Sequence, residues 1–146
     1  MLKGIDPVLT PQLLMHLCAM GHGEWVAVVD ANFTAELLSN GKPVVRLPGL
    51  SLERVSRAVL SVIPLAVDVA QPAAYMHTSQ QQPGYRTAAQ QDVVDLIVRE
   101  GMAADKVEAV ERFAFYDKIR GASLIVQSGE ASAYGNAMFC KGVILN

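Results

Sequence analysis

The chain is short of several things, and each shortage removes a class of function. Two cysteines stand in 146 residues, Cys18 and Cys140. They do not form a CxxC pair, so a thiolate metal site or a disulfide framework has no basis in their spacing. Each lies in an apolar stretch, "LLMHLCAM" and "AMFCKGVIL", which reads as two buried free thiols in a reducing compartment. Lys and Arg total 12 against 14 Asp and Glu, a net charge of −2, and there is no basic run. Nucleic acid and anionic membranes both select for clustered cations, so neither is an expected partner. No apolar run reaches the roughly 18 residues of a membrane helix. Asp6, Pro7 and Pro11 interrupt any apolar signal region near the start, and a cytoplasmic setting is the expectation. The phosphate-cradling GxGxxG and GxxxxGK[ST], the zinc-binding HExxH and the nucleophile elbow GxSxG are all missing.

What is present is an apolar chain with strong punctuation. Hydrophobic residues make up 51% and charged residues 18%, which suits one domain with a real core over residues 1–146. The apolar surplus fits either a rich core or an oligomer contact. Thr10-Pro11 opens a first helix through "QLLMHLCAM", apolar on most faces and therefore expected to be well buried, with Gly21 placed to end it. His16 within it reads as a helix-surface or satisfied core histidine. "WVAVVD" is a continuous apolar, β-branched run, as in strands covered on both faces. Asn40-Gly41 marks a turn, and "KPVVRLPG" a short strand. Ser51 caps an amphipathic helix that Pro64 stops, and Thr87 to Gln90 has the form of a capping box for a helix closed by Gly101. "PLAVDVAQP", "AAYMHT", "KVEAVERF", "SLIVQSG" and "AMFCKGVIL" read as strands, and "AFYDKIRGA" as a short helix or turn. About three substantial helices alternate with six or seven strands. The expected fold is a single α/β domain with a mainly parallel or mixed sheet of about six strands and helices on its faces.

Polar residues at the ends of apolar strands need a reason, because open α/β sheets bind ligands there. His22 sits between Gly21 and Gly23. It suits proton transfer near neutrality, with glycines that let a ligand approach, and it equally suits a plain turn. Asp30 follows a run of apolar residues and either caps the next turn or faces a cavity. Arg112, in "VERFAFY", reads locally as a surface strand residue paired with Glu111 or Glu108. Tyr134, Gly135 and Asn136 combine a phenol, a bend and an amide, a set suited to several hydroxyls or to an ordinary turn. Tyr116 and Arg120 are weaker cases of the same kind. His77 reads as a loop or strand-end residue.

Taken in order, these landmarks resemble the RbsD/FucU family of sugar mutarotases over nearly the whole chain. "MLKGIDPVLTPQLLMHLCAMGHG" resembles the family's first helix and its GH motif, "VVDANF" the strand-end aspartate, and "ERFAFYDKIRGA" with "GEASAYGNAMFCKGV" the C-terminal half. "RFAFY" and "YGN" resemble the fucose branch; the ribose pyranase branch typically has a histidine near the "RF" position. The resemblance implies interconversion of sugar anomers, with L-fucose the usual substrate, and neither metal nor organic cofactor. It implies His22 as the proton-transfer residue, and Asp30, Arg112, Tyr134, Gly135 and Asn136 as the sugar-binding set. It also implies rings, often decamers of two pentamers, with sites at subunit contacts. A ribose pyranase, a mutarotase for another sugar, and a monosaccharide-binding protein without turnover are the alternatives. The chain departs from the pattern at Asn32, where some fucose-branch members have another histidine, and in the uncharged stretch "MHTSQQQPGYRTAAQQ", charged only at Arg86, where relatives are often acidic. An extended "WVAVVD" would span roughly 20 Å at about 3.3 Å per residue. His22 and Asp30 would then lie at its opposite ends, so either the chain bends near Gly23 or two subunits share the site; the shared site is the favoured expectation.

Overall fold

The computed structural model describes residues 2–145. Six strands form one sheet: β1 (Trp25–Val29), β2 (Val44–Leu47), β3 (Ala73–Met76), β4 (Val107–Val110), β5 (Leu124–Ser128) and β6 (Ala137–Cys140). Their order is β2-β5-β1-β6-β3-β4. β1, β2 and β5 run parallel to one another, and β3 runs parallel to β4. β6 is antiparallel to both β1 and β3, and so joins the two parallel blocks. The sheet is mixed, as expected.

Five α-helices cover it: α1 (Pro11–Ala19), α2 (Ala35–Ser39), α3 (Leu52–Leu60), α4 (Ala88–Arg99) and α5 (Arg112–Arg120). The two-residue period of β1 divides the core in two. Val26 and Val28 face a cluster with Leu13 and Leu17 of α1, Val55 and Val59 of α3, and Val93 and Ile97 of α4. Ala27 and Val29 face a second cluster with Leu38 of α2 and Phe115 and Ile119 of α5. Both faces are therefore covered, which is why β1 and β3 are almost continuously apolar and buried. The caps read from sequence form as expected. The side chains of Thr10 and Ser51 accept from Leu13 N and Arg54 N, and Thr87 with Gln90 makes both bonds of a capping box.

Several local readings are corrected. "PLAVDVAQP" is not a strand; prolines without N–H groups bracket it, and among the described residues its only ladder pairing is an isolated bridge, Leu65 to Lys141. "KVEAVERF" leaves the sheet at Val110, because Glu111 caps α5 with its carboxylate on the Phe113 and Ala114 amides. Arg112 is thus the first residue of a helix, not a strand residue. The last strand ends at Cys140; the turn read at Asn40-Gly41 forms as expected and closes a short helix, α2. In α1 only Leu13 and Leu17 are buried, while Met15 is 59% exposed and Cys18 is exposed too, so one of the two free thiols is open to solvent. No helix among the described residues is long and apolar enough to cross a membrane.

Candidate functional site

Sheet topology brings distant polar residues to one edge. β1, β3 and β4 end at the edge where β6 begins, because β6 runs against its neighbours. Asp30 follows β1, Met76 ends β3, Arg112 lies just past β4, and Asn136 immediately precedes β6. This is the carboxyl edge, where open α/β sheets hold ligands. An open cleft of about 550 Å³ lies here, lined by Asp30, Arg112, Tyr116, Tyr134 and Asn136 with Asn32, Phe33 and Met76 beside them.

At its base Asp30 and Asn136 clasp each other. The Asp30 N–H donates to Asn136 Oδ1 at 2.9 Å, and Asn136 Nδ2 donates to Asp30 Oδ2 at 2.9 Å. The first bond fixes the amide's orientation, so the second donor has to face the carboxylate. Asp30 Oδ1 also accepts from Asn32 N at 2.9 Å, turning the chain out of β1. Asp30 is 6% exposed and Asn136 2%. Burial pushes the Asp30 carboxyl above the usual aspartate range; the neighbouring Glu130 adds to this, and the bonds from Asn136 and the backbone oppose it.

The wall is aromatic and cationic. Arg112 Nε donates to Tyr116 Oη at 2.9 Å, and its guanidinium lies 5.5 Å from the centre of that ring. Phe33 meets Tyr116 edge to face at 5.7 Å. Tyr134 holds a left-handed backbone, φ 61°. Its carbonyl accepts from Gln90 Nε2 at 3.1 Å, and the same amide donates to Met76 O at 2.7 Å. Gly135 does not line the cleft. A Cβ there would stand 2.7 Å from Glu130 Cγ and 3.0 Å from Ser132 O, so glycine is required by close packing. The cleft therefore offers a carboxylate, an amide, a guanidinium and phenols around aromatic faces, a set that hydrogen-bonds several hydroxyls and covers C–H surface.

His22 lies elsewhere. It sits on the turn before β1, at the opposite, amino edge; β1 alone spans about 17 Å at 3.3 Å per residue. Gly23 takes φ 81° to make this turn, and its N–H donates to Lys141 O at 2.8 Å. His22 Nε2 lies 3.0 Å from Asp68 Oδ1. Of the six residues singled out in the sequence, Asp30, Arg112, Tyr134 and Asn136 line the cleft, Gly135 packs behind it, and His22 is remote within one chain. Sequence reading did not single out Phe33, Gln90 or Asp68, and it gave Tyr116, which lines the cleft, a weaker claim. Gln90 had a signal as a capping-box residue; the aromatic pair of Phe33 and Tyr116 had one only in their nearness to Asp30 and Arg112. Among the described residues no three His, Cys, Asp or Glu side chains converge in a way that could hold a metal ion. His77 directly follows β3, its N–H on Val110 O, as expected of a residue at a strand end.

Comparison with known proteins agrees with this fold. The chain is 34% identical to fucose mutarotase from Homo sapiens, over 98% of this chain and 94% of that protein. FucU from Bifidobacterium longum superposes with a TM-score of 0.91 at 35% identity, covering 98% of this chain and 100% of that one. The fucose mutarotase from Streptococcus pneumoniae, solved in complex with L-fucose, gives 0.89 at 28% identity, covering 99% and 100%. The model of the RbsD / FucU transport protein family matches residues 3–144, and the chain belongs to that family.

Proposed function

We propose that the chain is an isomerase that interconverts the α and β anomers of a free monosaccharide, L-fucose foremost, by acid–base opening and closure of the sugar ring. The whole chain, residues 1–146, acts as one domain. The observation that carries this reading is the convergence of Asp30, Asn136, Arg112 and Tyr134 on one cleft at the carboxyl edge. Asp30 accepts from sugar hydroxyls, Arg112 and Asn136 donate, and Phe33 and Tyr116 cover the apolar face of the ring. His22 moves the proton. A base takes the proton from the anomeric hydroxyl, that O–H electron pair forms the carbonyl, and the bond from the anomeric carbon to the ring oxygen breaks. The ring oxygen receives a proton from an acid. The aldehyde then rotates and recloses on its other face, and the protons return.

His22 and the cleft lie on opposite edges of one chain, so the working site takes the histidine from a second copy. Apolar exposure supports a contact of this kind. Val67, 82% exposed, stands beside Asp68 at the amino edge, and Phe113, 66% exposed, stands beside Arg112 at the carboxyl edge. Head-to-tail contacts between unlike edges close into rings when the rotation between copies closes, and the proposed assembly is a ring, a decamer of two pentamers, with sites at subunit contacts. A cytoplasmic setting is supported by the two free thiols, one of them exposed. The test is exchange NMR on the anomeric protons of L-fucose and D-ribose, with and without the protein. Faster exchange of the fucose anomers is expected. Faster pyranose–furanose exchange of ribose alone would move the chain to the pyranase reading. Binding without any acceleration would leave a sugar-binding protein.

A further inference from the structure

We propose that Asp68 is the positioning residue of His22: it holds the imidazole with the hydrogen on Nε2 and leaves Nδ1 as the nitrogen that exchanges a proton with the sugar. This rests on the reading of His22 as the proton-transfer residue, and adds to it a partner and a named nitrogen. Asp68 Oδ1 and Oδ2 each lie 3.0 Å from His22 Nε2. A carboxylate only accepts, so the hydrogen between them belongs to Nε2. The bond to His22 holds the Asp68 carboxyl below the usual aspartate range, so it is ionised wherever the histidine can act as a base. When Nδ1 takes the proton the ring becomes a cation, and Asp68 already stands against it.

The mounting on both sides favours orientation over chance contact. The His22 turn is pinned by Gly23 N on Lys141 O at 2.8 Å and by the Glu24 carboxylate, which accepts from Gly21 N and from Ser123 Oγ. Lys141 Nζ ties the end of α1 to the same place through Leu17 O at 2.9 Å. Asp68 rides on the Pro64–Pro72 segment. That segment is fastened to the far end of β6 through Ala66 N on Cys140 O at 3.0 Å, Gly142 N on Pro64 O at 2.8 Å and Cys140 N on Pro72 O at 2.7 Å. Two separate stretches of chain are thus anchored to the same strand end, and their side chains meet. The side chains of His22 and Asp68 are 44% and 59% exposed. An ion pair this open adds little to stability, so folding does not account for it.

Three readings on the full chain test the proposal: the anomer exchange rate at saturating L-fucose, the affinity for L-fucose, and the His22 tautomer from its ¹⁵N ring shifts at alkaline pH. In Asp68→Ala we expect exchange to fall by about tenfold or more, within the range of positioned acid–base groups. Affinity is expected to stay unchanged, and a Nδ1–H population absent from the parent to appear. Asp68→Glu, which keeps the acceptor, is expected to recover most of the rate. Unchanged exchange and tautomer in Asp68→Ala, with exchange lost in His22→Ala, would overturn the proposal and leave the mutarotase reading intact. Unchanged exchange in His22→Ala would remove both. A lower melting temperature in Asp68→Ala with no change in rate or tautomer would make the pair structural, and would also overturn it.

Discussion

The two edges of the sheet treat their polar groups in opposite ways. At the carboxyl edge Asp30 and Asn136 are buried, and each hydrogen-bonds the other. At the amino edge His22 and Asp68 stand in solvent and share one contact. Groups that fix a sugar need rigid, desolvated geometry, because loosely held donors and acceptors cost affinity when they are ordered. A group that shuttles protons needs access and a partner for its changing charge. Each edge suits one task, and neither holds both, which is the physical case for a site built from two copies.

The largest expected effects break this division of labour. His22→Ala is expected to slow anomer exchange by about 10²–10⁴-fold while L-fucose still binds; exchange NMR and a sugar titration check the two halves separately. Arg112→Ala, at an exposed position, is expected to weaken binding instead. Reassembling the two impaired variants together sharpens the comparison. If each site joins His22 of one copy to Arg112 of another, random mixing restores about a quarter of the sites, since a heterologous contact draws each half from a different subunit. A mixture as inactive as its components would place both residues in one chain's site.

Stability separates the edges next. Asn136→Ala leaves the buried Asp30 N–H and one carboxylate oxygen without partners, at a cost of about 1–3 kcal/mol. Denaturant unfolding is expected to show this loss. Gly23→Ala meets no steric neighbour within 4 Å, but it forces alanine into the left-handed region at φ 81°. Its expected cost is about 1–2 kcal/mol, local to the amino edge. Sugar binding at the cleft is expected to persist in Gly23→Ala, since a loss of this size leaves the chain folded.

Most of the fold was legible because punctuation and period agreed. Thr10-Pro11, Ser51 and the Thr87–Gln90 box start helices where the chain says they should. The cleft was legible where a polar residue ends an apolar run, as Asp30 and Asn136 do. Arg112 was misplaced because "VEAVER" continues a strand-like alternation, and only the side chain of Glu111, folded back on the next turn, stops it. Asp68 could not be found. It is a lone aspartate 46 residues from His22, in a stretch without regular structure, and its contact with His22 exists only once β6 gathers both segments. Gln90 was read as a cap, and its second task of holding Tyr134 O and Met76 O is a tertiary fact.

The smallest expected effect is on how stability follows pH, because the two edges pull against each other. Burial raises the Asp30 carboxyl above its unfolded value, so the folded chain binds the Asp30 proton more tightly than the unfolded one. That contribution is fully present below the unfolded value, near 3.8, and is lost as pH rises through the raised folded one. Glu24 and Asp68 behave in the reverse sense. The Gly21 N–H bond lowers Glu24 and the His22 bond lowers Asp68, so their contributions are present above their unfolded values and are lost as pH falls through the lowered ones. Moderate acid should therefore favour the carboxyl edge, and strong acid should loosen the amino edge. Carbon-detected titration of the carboxyl groups checks this directly: Asp30 is expected to titrate above an ordinary aspartate and Asp68 below one. In Asn136→Ala the Asp30 titration should move further up, since a bond that favours its charged form is gone. An Asp30 that titrated with the exposed carboxylates would mean that its side chain is open to water, and the contrast between a desolvated edge and an open one would fail at its most buried residue.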